Sequence, residues 1–300
     1  MDRLKRINLI SGKGGVGRST LSAVLAKSAS LAGKKTLLAE LEDDQGSDSA
    51  LAKIFGLPHL ADEPKLIGKN LYGMRLSASL GQELFLNSFL RIHALSHSIL
   101  SNKGVQWFLE GAPAFKEMGY FYHLLLQLRK KEFECIVIDL PATGHLVGLV
   151  RLPRILLRLI PIGPIADRLR EGQAHFYDPL QTAAWIVTLP QTLPVSEAIE
   201  LKDALIAETV PMGGFILNRA PFSPFSKDEE VEIESLFLDE SIPNEFSHSL
   251  ERIRRFKEAK EILQVETSGT NQNISIFIAE EVVNPLVDLT TKYPLKAYTC

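Results

Sequence analysis

Short, continuously apolar runs recur along the chain at 6–10, 36–41, 71–76, 135–140, 184–189, 214–217 and 274–278. Several are rich in β-branched residues and lack in–out alternation, so the pattern predicts strands covered on both faces. Between most of them the apolar positions shift to a helical period. In the first such stretch Leu21, Val24, Leu25, Leu31 and Ala32 share a face, and Gly33 is placed to close the helix. This alternation predicts an α/β fold, a mostly parallel β-sheet flanked by helices.

One region breaks the alternation. Residues 82–131 carry no strand pattern. Leu84, Phe85, Phe89, Leu90, Ile92, Leu95 and Ile99 predict one very apolar helix, and 121–128 predict another. The expectation is a single domain over 1–300 with an α-helical insertion at 82–131. The apolar stretch 146–166 contains Arg151, Arg154 and Arg158 along with Pro153, Pro161 and Pro164. Charges at its centre suit broken helices on a core, not a transmembrane segment. The apolar run before Gly12 is too short for a signal-peptide core. Residues 226–255, acidic first and basic later, are expected to form a solvated connection with helical parts.

Composition narrows the class. Hydrophobic residues make up 45% and charged residues 23% of the chain, ordinary globular usage. Lys and Arg number 33 against 36 Asp and Glu, for a net charge of −3. No nucleic-acid partner is expected, because the basic excess of a general nucleic-acid binder is missing. The two cysteines, Cys135 and Cys300, are too few for a disulfide framework or a thiolate metal site. The chain therefore reads as reduced and cytoplasmic, with Cys135 a buried small residue in an apolar strand. His93 and His97 have i, i+4 spacing, but no glutamate follows His93 as a zinc-protease helix requires. They are read as two histidines on an amphipathic helix.

The chemistry concentrates after the first strand. Gly12-Lys13-Gly14-Gly15-Val16-Gly17-Arg18-Ser19-Thr20 lies between a strand and a helix, the setting of a phosphate-binding loop. Glycines let backbone N–H groups turn inward around phosphate oxygens, and the helix N-terminus adds a favourable dipole. Ser19 is placed to ligate Mg²⁺ and Thr20 to reach a further phosphate. The G-x-x-x-x-G-K-[ST] pattern fails at one position, where Arg18 replaces lysine. A guanidinium keeps the charge and grips phosphate with two N–H groups, but it is bulkier. Binding is expected to survive this change better than turnover.

Lys13, directly after the first glycine, makes the loop resemble the deviant Walker A of the ParA/MinD/ArsA ATPases. The segment Asp139-Leu140-Pro141-Ala142-Thr143-Gly144-His145 resembles the D-T-A-P-T-G-H switch of the ArsA family. That family holds arsenite-pump ATPases and the targeting ATPases for tail-anchored membrane proteins. Val187 to Glu197 and Gly213 to Arg219 resemble its later strands, and Ile278 to Val282 its last strand-to-helix passage. The resemblance implies a P-loop NTPase binding ATP or ADP with Mg²⁺ between two protomers, as a homodimer or a heterodimer with a related ATPase. Lys13 would reach across the interface, and Ser19 and Asp139 would support Mg²⁺. Gly144 and His145 would lie in a γ-phosphate switch, and Asn218 would bond adenine. The water-orienting aspartate after the second strand would be Glu42, or Asp43 or Asp44 if the register slips. An added methylene at Glu42 and the guanidinium at Arg18 together predict slow hydrolysis.

The resemblance stops short of several family features. The dimer-bridging C-x-x-C zinc site and the arsenite-binding cysteines are missing. The insertion stands where the targeting branch builds a groove for hydrophobic clients. Leu84, Phe85, Phe89, Ile92, Phe108, Phe115 and Phe121 suit such a groove for a membrane-protein client, plain core packing or a protein–protein interface. Three functions stay open: an ArsA-type ATPase switch, a catalytically weak nucleotide-dependent scaffold, and a ParA/MinD-like positioning protein. The tail, 286–300, has only Lys292 and Lys296 as cations and is interrupted by Pro294, which disfavours the third.

Overall fold

The computed structural model describes residues 4–41, 49–93, 113–141, 144–221, 244–268, 274–281 and 296–298, with 229, 232, 272, 286 and 290. The continuously apolar runs do form strands buried on both faces: β1 (Ile7–Gly12), β2 (Thr36–Leu41), β5 (Cys135–Asp139) and β6 (Thr182–Thr188) are buried throughout. With β3 (Lys65–Gly68), β4 (Leu71–Leu76), β7 (Met212–Ala220), β8 (Ser275–Glu280) and β9 (Lys296–Tyr298) they make one sheet. Its order is β3-β4-β2-β5-β1-β6-β7-β8-β9 among the described residues. Only the two edge strands run antiparallel.

Those edge strands are the ones the apolar pattern does not predict. β3 carries two apolar residues, Leu66 and Ile67, and is mostly exposed. β9 is three residues long. An edge strand packed on one side needs no continuous apolar run. The predicted strands differ from the observed ones by zero to three residues at their ends.

Helices cover both faces. α1 (Arg18–Leu31) and α2 (Ala50–Ile54) pack on one. On the other lie α3 (Ala78–His93), α4 (Pro113–Lys130), α5 (Gly144–Leu159), α6 (Pro164–Tyr177), α7 (Thr192–Ala207) and α8 (Asn244–Ser268). α1 corrects the expected apolar face. Leu21, Val24 and Leu25 are buried, but Leu31 is 53% exposed and Ala32 is exposed too. Small residues (Ser22, Ala23, Ala26, Ala29) let the helix body sink against the sheet, whereas its last turn runs past it. Gly33, at φ +95°, reverses the chain there, with Lys34 N–H bonded to the Ala29 carbonyl. The break expected in 146–166 falls between α5 and α6, around Pro161 and Gly163; Pro153 stays inside α5.

Phe85, Met118 and Phe121 from α3 and α4 join the same core as the sheet strands and are buried, so at these positions core packing replaces a groove. Phe108, Leu95, Ile99 and His97 lie outside the described residues. Gly81 and Gly119 bring the two helices into backbone contact; a Cβ on either would lie about 2 Å from the other helix's carbonyl oxygen (1.8 and 2.1 Å). No helix among the described residues is long and apolar enough to cross a membrane.

Buried polar groups are anchored. Asn8, inside β1, donates to the Lys5 carbonyl at 2.7 Å and accepts from Trp185 Nε1 at 3.1 Å. Cys135 is buried as expected, and burial pushes its thiol up to about 11. Lys202, 3% exposed on α7, donates to both the carboxylate (2.8 Å) and the carbonyl (3.3 Å) of Glu266 on α8. Lys202→Met keeps the stem but leaves that carbonyl without its donor. We expect a loss of about 2 kcal/mol, a typical value for hydrogen bonds to charged groups. A denaturant midpoint shifted at unchanged slope would register it; an unmoved midpoint would show the clip idle.

Candidate functional site

β1 lies where the sheet changes direction of growth. Strands from the first half of the chain extend from it one way, through β5, and later strands the other way, through β6. Ligands of open α/β sheets bind beyond strand C-termini at such a point. Gly12 ends β1 there, wedged against β6: a Cβ on it would meet the Val187 carbonyl oxygen at 2.2 Å. Gly14 and Gly15 are exposed, and a Cβ on either would meet open space. Gly17, left-handed at φ 90°, caps α1 with no side-chain hydrogen bond. The first-turn N–H groups of α1, including those near Ser19 and Thr20, therefore have no capping side chain and form a natural anion cradle. Buried Val16 fixes the loop from below, its carbonyl accepting from Asn218 Nδ2 of β7 at 2.8 Å.

Acidic groups face the cradle from the strand ends. Asp139 closes β5, 8% exposed, and accepts from Ser22 Oγ at 3.1 Å and from the Ser19 hydroxyl. Burial raises its pKa above the ordinary carboxyl value, opposed by the Ser19 hydroxyl, the Arg18 charge and the Ser22 hydroxyl. Glu40 on β2 stands in register with Asp139 and with Arg75 of β4. Burial raises the Glu40 pKa too; hydrogen bonds from Ser49 and the Leu51 N–H (3.4 Å) oppose this, Asp139 adds to it, and Arg75 opposes it. Asp139, with the Ser19 hydroxyl bonded to it, offers the oxygen donors a hard divalent cation takes.

Both loop cations are engaged within the chain. Arg18 Nη1 donates to the Leu140 carbonyl at 2.6 Å, tying α1 to the residue after Asp139. Burial lowers its pKa and Asp139 opposes that. Lys13 pairs with Glu197 of α7 at 2.7 Å. Gly12 to Thr20, Asp139 and Asn218 are thus brought together around one turn. Gly144 and His145 begin α5, a few residues beyond Asp139. Glu42, Asp43 and Asp44 lie outside the described residues. The sequence reading assigned no role to Ser22, Glu40 or Glu197. Ser22 follows Ser19 at i+3 on one helix, a spacing that places both on one face. Glu40 is an acid inside an otherwise apolar, doubly covered strand, itself a signal.

A glycine turn between the central strand and a helix, with a buried aspartate closing the adjacent strand, defines the P-loop NTPase class of α/β folds. A family model described as anion-transporting ATPase, ArsA_ATPase, matches residues 5–163, and the chain belongs to this family. ATPase BagA of Mycobacterium tuberculosis is 28% identical over 225 residues, covering 71% of this chain and 65% of that protein. An ATPase ASNA1 homolog of Plasmodium chabaudi chabaudi is 22% identical over 257 residues, covering 74% and 64%. An ASNA1 homolog of Cryptosporidium parvum is 23% identical over 283 residues, covering 81% and 74%. The chain thus matches 65% of the length of its mycobacterial relative.

Proposed function

We propose that this protein binds ATP with Mg²⁺ in the Gly12–Thr20 loop and hydrolyses it slowly, as a cytoplasmic dimeric switch that gains or releases a protein partner or hydrophobic client. The observation that carries the reading is Asp139: a buried carboxylate, raised by desolvation, bonded to two serines of the helix that opens directly after the glycine loop. Such a group is costly alone and gains from a cation beside it. Ser19 and Asp139 would hold Mg²⁺, which when bound neutralises phosphate charge and polarises the γ-phosphoryl group. The loop amides would hold the phosphates, and Lys13 would complete the site of a second protomer. ATP and ADP then favour different protomer arrangements, and that difference in affinity drives the output. Phosphate release by the protein, compared with a Ser19→Ala, Asp139→Ala double variant, tests the enzyme claim. Equal rates would remove it.

One observation favours weak turnover. Arg18 occupies the lysine position of the loop, and its guanidinium is bonded to Leu140. Arg18→Lys supplies a compact ammonium at the phosphates and releases the strand end. Its turnover is expected to rise about tenfold, less than the roughly hundredfold or more that a wholly new preorganised contact contributes, because Arg18 already places a positive charge in the loop. Steady-state phosphate release at saturating Mg²⁺·ATP checks this; no increase would place the slow step elsewhere.

A further inference from the structure

We infer that Glu197 is a latch on Lys13, holding the loop lysine away from phosphate until nucleotide displaces it. The inference rests on the nucleotide-binding reading above. Lys13 Nζ lies 2.7 Å from Glu197 Oε1, each side chain about a third exposed (36% and 31%). Glu197 sits in the second turn of α7, the helix after β6, and β6 borders β1 on the side away from Asp139. The lysine is therefore drawn to the opposite flank of the loop from the acidic strand end. The other carboxylate oxygen, Oε2, is buried and has no hydrogen-bond partner among the described residues. Lys13 is thus the cation compensating a carboxylate already short of one hydrogen bond.

A phosphate that approaches Nζ also approaches this carboxylate. Two anions at one ammonium repel, so the pair opens or Glu197 turns away before Lys13 grips phosphate. Once Lys13 leaves, Glu197 holds a partly buried charge with no compensation. Both effects favour the latched state and lower the apparent affinity for nucleotide by the latched fraction. Arg18 is likewise engaged within the chain, donating to the Leu140 carbonyl. Glu197 is accordingly a positioning residue that acts through Lys13.

Glu197→Gln keeps the side-chain shape and a hydrogen-bond acceptor for Lys13 but removes the charge. Binding of Mg²⁺ with an imido-bridged, non-hydrolysable ATP analogue is measured for four chains: unmodified, Glu197→Gln, Lys13→Ala and the double variant. A partly exposed ion pair sets the expected gain for Glu197→Gln at about fivefold tighter binding. In the Lys13→Ala background the same change is expected to do nothing, which a merely structural role of Glu197 would not produce. Glu197→Ala, lacking any acceptor, should show the same gain. Unchanged or weaker binding by Glu197→Gln overturns the latch, as does an equal gain without Lys13, which would mean Glu197 repels nucleotide directly. Absence of binding in all four chains at millimolar analogue removes the nucleotide reading itself, and the latch with it.

Discussion

Asp139→Asn is expected to lower ATP hydrolysis at least about a hundredfold, the scale of losing one preorganised electrostatic group, and to stabilise the nucleotide-free chain at neutral pH. The two effects share one cause. Asp139 is buried at the end of β5, and desolvation lifts its pKa more than the Ser19 and Ser22 hydroxyls and Arg18 lower it. A carboxyl with a raised folded pKa binds its proton more readily when folded than when unfolded. Its contribution to stability is then complete below the unfolded carboxyl value and is lost as pH rises through the folded one. At neutral pH the carboxylate burdens the fold, and asparagine, which can still accept from Ser22, removes that burden. The thermal midpoint of Asp139→Asn should exceed that of the unmodified chain at pH 7, and the gap should close on acidification through the carboxyl range. Turnover near the unmodified rate would show that Asp139 is not a cation support, and a lower midpoint at pH 7 would show that it is not a desolvated charge.

Gly12→Ala is expected to prevent folding, or to cost about 3 kcal/mol or more, as overpacking against immovable backbone does. The added Cβ would stand 2.2 Å from the Val187 carbonyl oxygen, and β6 has nowhere to go because β7 is hydrogen-bonded to its other side. Gly14→Ala is the matched control. Its Cβ meets no atom within 4 Å, so its thermal midpoint should stay at that of the unmodified chain. If the two variants melted alike, the close approach of loop and strand that shapes the cradle would be wrong.

Much of the fold is legible in the chain because strands covered on both faces must be apolar at every position. That is why β1, β2, β5 and β6, buried throughout, stand out, and why β3 and β9, on the sheet edges, do not. The loop and Asp139 are legible because glycine spacing and a strand-end acid are local patterns. Glu197 is not: its pairing with Lys13 spans 184 residues of sequence, and nothing local at either end announces it. Glu40 and Ser22 are intermediate. Each shows a local anomaly, an acid in an apolar strand and a second serine one turn along, whose partner emerges only when β2, β5 and α1 converge. The apolar residues of α3 and α4 suited a groove and a core equally in sequence; Phe85, Met118 and Phe121 settle in the core because α4 packs directly on the strands.

Calorimetric titration with adenine nucleotides and Mg²⁺ addresses the nucleotide-binding proposal most directly. A saturable heat at one nucleotide per chain, competed by ADP and weakened in the Ser19→Ala, Asp139→Ala double variant, is the expected result. A flat titration at millimolar ligand, with no competition, would contradict it.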